Sequence, residues 1–102
     1  GLGGGNPWAS TSSSITVAAN DRYFVDTSGA VKTITLPASP QVGDQVSLLD
    51  LAGTFDTNNL TIARKSLNIM GQAADMTVDV EHAAIQLVYT GSTYGWKLTT
   101  NL

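Results

Sequence analysis

The chain has 102 residues, 42% of them apolar, and a formal net charge of −3. That is enough apolar material for one core and too little for two, so a single domain is expected. Charged residues make up 13%, against a usual ~25%, and only Arg64-Lys65 sets two cations side by side; nucleic acid and anionic membrane are poor partners for such a surface.

There is no cysteine, which removes disulfides, thiolate chemistry and Cys-type zinc sites together. No apolar run approaches the ~18 residues of a membrane helix. No charged segment leads into an apolar stretch as a secretion signal would. The chain opens on Gly rather than Met, as an excised or trimmed segment would.

Residues 1–13 read GLGGGNPWASTSS, a Gly/Ser-rich composition expected to form a flexible lead-in or linker. Trp8 stands out within it as a residue that would either dock on its own domain or a neighbouring subunit, or simply be exposed. Residues 14–102 then read as one β domain. Ser14–Ala18 is the first expected strand, and Arg22–Asp26 the second. Thr27–Ala30 looks like a hairpin connection into Val31–Leu36. Pro37, Pro40 and Gly43 mark an irregular loop, because proline cannot donate to a ladder and glycine permits positive φ.

Val46–Ala52 is the next strand, its Leu48-Leu49 pair implying burial on both faces. Asp56-Thr57-Asn58-Asn59 reads as an Asx-type turn. Leu60–Arg64 returns to strand, Leu67–Gly71 is a short strand or turn, and Met76, Val78 and Val80 alternate. So do Ile85, Leu87 and Tyr89. A Gly91-Ser92-Thr93 turn leads to a last strand carrying Trp96 and Leu98. No stretch keeps a helical period and no internal repeat is apparent. The expected fold is all-β: a small antiparallel β-sandwich or barrel-like module of about 7–9 short strands.

Little in these strands could do chemistry. His82, the only histidine, lies near Asp75, Asp79 and Glu81, but in a strand its side chain would point away from Asp79 and Glu81. It reads as a turn residue. No second His or Cys supports zinc, Asp50 and Asp56 do not have calcium-loop spacing, and no nucleophile elbow accompanies the histidine. A glycosidase pair of carboxylates would need a cleft that a domain of this size lacks. No catalytic, cofactor-binding or metal-ligating residue is therefore assigned, and no enzyme activity is expected. Tyr89 and Trp96 should face each other across a hairpin as a packed pair. Tyr94 at the loop tip and Trp8 in the arm remain as possible ligand contacts. The weakly charged, hydroxyl-rich surface suits coverage by copies of the same chain; the alternative is a surface solvated through its hydroxyls and amides.

The segments ITLPASPQVGDQVSLLDLAGTF, NNLTIAR, NIMG and AAIQLVYTGSTYGWKL occur in order. Their skeleton is Leu36-Pro37, Pro40, Gly43-Asp44, Val46, Asp50, Gly53, Asn59, Thr61-Ile62, Ile69, Gly71, Leu87, Tyr89 and Gly95-Trp96. This pattern, from Ser14 to Leu98, resembles a small β module of tailed-bacteriophage tail fibres, tailspikes and baseplate-wedge proteins. The glycine-rich arm departs from it. The resemblance implies a homotrimeric, non-enzymatic domain without cofactor, located in the virion and assembled in the host cytoplasm. It would link a receptor-binding part to the particle or dock other tail or baseplate proteins. The alternative is a carbohydrate- or receptor-binding module that meets a host surface glycan through Tyr94 and neighbouring residues.

Overall fold

The computed structural model describes residues 6–99. Among them are nine strands and no helix: β1 (Trp8–Thr11), β2 (Ile15–Thr16), β3 (Arg22–Val25), β4 (Lys32–Thr35), β5 (Gln45–Asp50), β6 (Leu60–Ala63), β7 (Met76–Val78), β8 (Ala84–Tyr89) and β9 (Trp96–Leu98). The positions match the runs of alternating residues. Their pairing does not follow the sequence order.

Sheet A runs β1-β3-β5-β8-β9 and sheet B runs β2-β4-β6-β7. From β1 to β6 the chain alternates between the sheets, so β1–β2, β3–β4 and β5–β6 are three successive coils stacked in parallel. Only then does it reverse, with β7 antiparallel to β6, β8 to β5 and β9 to β8. Both sheets are therefore mixed, which corrects the expectation of sequential antiparallel strands. Thr27–Ala30 is likewise no hairpin, because β3 and β4 lie in different sheets. A parallel pair needs a long crossover, and here the strand of the opposite sheet supplies it: residues 26–44, including β4, carry the chain from β3 back to β5.

Order also begins earlier than composition implies. Trp8–Thr11, assigned to the lead-in, is a strand in register with Arg22–Val25, and the part of that assignment on residues 1–5 lies outside the described residues. Hydroxyl-rich or not, the segment gains a full row of backbone bonds once β3 lies beside it.

The inward faces of both sheets meet in one core. Val25, Val46, Leu48, Ile85, Leu87, Tyr89 and Trp96 come from sheet A, and Ile34, Leu60, Ile62 and Val78 from sheet B. Phe55, buried in the loop after β5, joins the same cluster. Tyr89 and Trp96 are cross-strand partners with ring centroids 5.3 Å apart at 57°, as the alternation of their hairpin implies. The 56–59 loop closes through the Thr54 carbonyl, which accepts from Thr57 and Asn58 N–H. The Asn58 amide reaches across to the Thr27 carbonyl at 2.8 Å. That long-range bond stands where an Asx turn was expected.

Gly43 ends the proline loop at φ +96°, and its N–H donates to the Tyr89 carbonyl. A Cβ there would meet nothing within 4 Å, so backbone strain alone sets the cost of substitution. Gly43→Val should lower unfolding free energy by ~1–3 kcal/mol, read as a lower urea midpoint at constant slope. An unchanged midpoint would mean that the loop does not need this conformation.

Candidate functional site

Most of the acidic residues, the obvious source of chemistry, are committed to the backbone. Asp21 accepts from Ala18 N–H, Asp26 from Ser28, Asp44 from Gln41 and Asp75 from Arg64, all at 2.8–3.0 Å. With Asp50 that is five of the eight acids. Hydrogen bonds from Ser28, with a smaller contribution from the Lys32 charge, hold the exposed Asp26 carboxyl below its usual value. These carboxylates are turn caps. Among the described residues no group of three or more His, Cys, Asp or Glu could hold a metal ion.

Asp50 is the most committed of them. It is 4% exposed, at the end of β5. One oxygen accepts from Gly53 and Thr54 N–H at 3.0 and 3.1 Å. The other accepts from Phe55 at 3.1 Å and His82 at 2.8 Å. One carboxylate thus ties the loop after β5 to the turn before β8. His82 sits in that turn at φ +60°, with its imidazole lying where a Gly53 side chain would be. The histidine is a turn residue packed on a glycine. The acid beside it bonds its backbone N–H and not its ring.

The two aromatic candidates are not brought together. Tyr94, 62% exposed, stands in the loop before β9, beside Gly71 and with the Lys97 ammonium 5.9 Å from its ring. Trp8, 41% exposed, is on β1 at the opposite edge of the five-stranded sheet. Four strand spacings separate those edges, about 19 Å. Trp8 stacks on Phe24 at 5.0 Å and 5°, with the Arg22 guanidinium 5.4 Å from its ring. Beside it an open depression of about 280 Å³ runs over Ser47, Ala84 and Gln86. Trp8 therefore docks on its own domain.

The outer face of sheet B carries a pattern that a linear reading misses. Thr33, Thr61 and Thr77 are register partners across three strands, as are Thr16, Thr35 and Ala63. All lie opposite the inward row of Ile15, Ile34, Ile62 and Met76. The result is a row-aligned, uncharged, hydroxyl-covered face, with a depression of about 230 Å³ at Ser14, Thr16, Thr33 and Thr35. The signal exists as Ser14-Ile15-Thr16, Thr33-Ile34-Thr35 and Thr61-Ile62-Ala63, one tripeptide per coil. Irregular spacing between the copies hides this repeat.

Compared with known proteins, no family model matches the chain and no curated protein matches it. Among the described residues no helix is long and apolar enough to cross a membrane.

Proposed function

We propose that this chain is a structural, non-enzymatic module of a tailed-phage tail fibre or tailspike-type virion appendage. It associates as a homotrimer and joins the receptor-binding part to other tail or baseplate proteins. The sandwich-like packing of its sheets and its place in the virion belong to the same reading.

The observation that carries it is the threonine face of sheet B. Flat, uncharged sheet faces are good surfaces for packing against another sheet at ~10 Å. A solvated face more often carries charges. Here Thr33, Thr35, Thr61 and Thr77 present methyl groups for contact and hydroxyls that can bond across a seam. Five of the eight carboxylates, those of Asp21, Asp26, Asp44, Asp50 and Asp75, are bonded to backbone N–H groups of turns and loops.

The test is the mass of the isolated chain by light scattering. A trimer is expected, with a melting temperature that rises with protein concentration. Thr61→Lys places a charge at the centre of the face. It should shift the species to a monomer while leaving its own fold within ~0.5 kcal/mol. A wild-type monomer that binds glycans would replace this reading with the carbohydrate-binding one.

A further inference from the structure

The outer side of β9, the last strand of sheet A, is closed by the segment from Asn68 to Met70. Trp96 N–H donates to the Asn68 carbonyl at 2.9 Å, and Met70 N–H donates to the Trp96 carbonyl at 2.7 Å. The next outward donor of β9 is Leu98 N–H, and its acceptor is the Met70 sulfur at 3.3 Å. A thioether thus completes the cap that a stacked-coil fold needs at its end.

The backbone beneath that sulfur runs against its own preference. Met70 and Gly71 are the central pair of a two-residue turn, at φ +54° and +78°. Ile69 N–H donates to the Gln72 carbonyl at 2.9 Å, and Gln72 N–H to the Ile69 carbonyl at 3.0 Å. Turns of this kind favour asparagine or glycine at the first central position, and a long side chain there is strained. The bond from Leu98 is what methionine adds at this place. The chain has one other methionine. Met76, on β7, is half-buried and packed against the core, whereas Met70 is 42% exposed.

We propose that Met70 is a site of oxidation by peroxides, and that its sulfoxide releases the edge of β9 at Leu98. A sulfur lone pair takes one oxygen from hydrogen peroxide: the S–O bond forms and the O–O bond breaks. The proton of the transferred oxygen moves to the departing hydroxide, which leaves as water. Sulfur gives up two electrons and the peroxide accepts them. Either lone pair leads to the same end. Oxygen on the pair facing Leu98 stands where the N–H was; oxygen on the other pair leaves an electron-poor sulfur that accepts poorly. The main-chain bonds that hold Trp96 do not involve the sulfur, so the edge opens at Leu98 while the ring below stays covered. Met70 lies at the edge of sheet A and the threonine face on sheet B, so oxidation and trimer formation are read separately.

The test treats the full chain with graded hydrogen peroxide and follows each methionine by mass spectrometry of its peptides. Met70 should convert about tenfold faster than Met76. Amide hydrogen exchange, read by NMR, should become about fivefold faster at Leu98 and stay unchanged at Trp96. Methionine sulfoxide reductases acting on both epimers should return Leu98 to its starting rate. Met70→Leu keeps an apolar side chain without the acceptor. Its Leu98 amide should exchange fast from the outset and ignore peroxide. Equal oxidation of the two methionines, an unmoved Leu98 amide, a change that the reductases do not reverse, or a response to peroxide that survives in Met70→Leu overturns the proposal. So does a joint loss of protection at Leu98 and Trp96, which would be unfolding rather than release of an edge. If Met70→Leu does not fold, the comparison of Leu98 with Trp96 in the oxidised wild type decides.

Discussion

Asp50→Asn should destabilise the fold by ~2–6 kcal/mol, out of a total of ~5–15 kcal/mol for a domain of this class. The carboxylate serves four backbone donors, two on each oxygen. An asparagine keeps one oxygen and turns an NH₂ toward the other pair. Either Gly53 and Thr54 or Phe55 and His82 then face a donor, and each stranded N–H costs ~1–3 kcal/mol. The side chain changes almost nothing in volume, so packing cannot account for the loss. Chemical denaturation should show a lower midpoint with an unchanged slope. Hydrogen exchange should rise together at residues 53–55 and at His82, although they are distant in sequence. A variant as stable as the wild type would show that the four bonds are not what closes these loops.

The sequence made the inside of this fold legible because burial imposes a period of two. Ile62 between Thr61 and Ala63, or Leu87 between Gln86 and Val88, declares which side chain faces inward whatever the strand pairs with. The same period is silent about the neighbour. Ile34 would look identical in a hairpin with β3 and in its actual place between Ile15 and Ile62. Parallel stacking of coils would have been readable from a regular repeat, but the coils are separated by loops of unequal length. The Ser-Ile-Thr, Thr-Ile-Thr and Thr-Ile-Ala copies therefore fall at no constant period in the sequence.

Loop chemistry was legible in part. Asp50 and Gly53 stand in the ordered skeleton of the sequence, but nothing near them announced His82 N–H as the fourth donor. Trp8 was hidden by composition, since the glycines and serines around it resemble a linker until β3 supplies the partner strand. Of the two aromatic candidates, Tyr94 is as exposed as its loop position implied. Trp8 instead spends one side of its ring region on Phe24 and Arg22.

Trp96→Ala should cost ~3–5 kcal/mol. The indole is fully buried, pairs with Tyr89 across the β8–β9 hairpin, and lies against the cap formed by Asn68 and Met70. Gly95 just before it, at φ +70°, has no room for a side chain, because a Cβ would run into the Asn68 backbone. The two residues place a large ring under a tight backbone crossing, and alanine there would leave a cavity in the core. One feature separates the size of the ring from its chemistry. The Trp96 indole N–H is buried and has no hydrogen-bond partner among the described residues, a burden of ~1–3 kcal/mol. Trp96→Phe removes that group together with part of the ring and keeps the aromatic pair with Tyr89. It should therefore cost less than half as much as Trp96→Ala in the same denaturation experiment. Equal losses for the two variants would mean that the N–H is satisfied and that the full indole area, not the aromatic pair, holds this corner of the core.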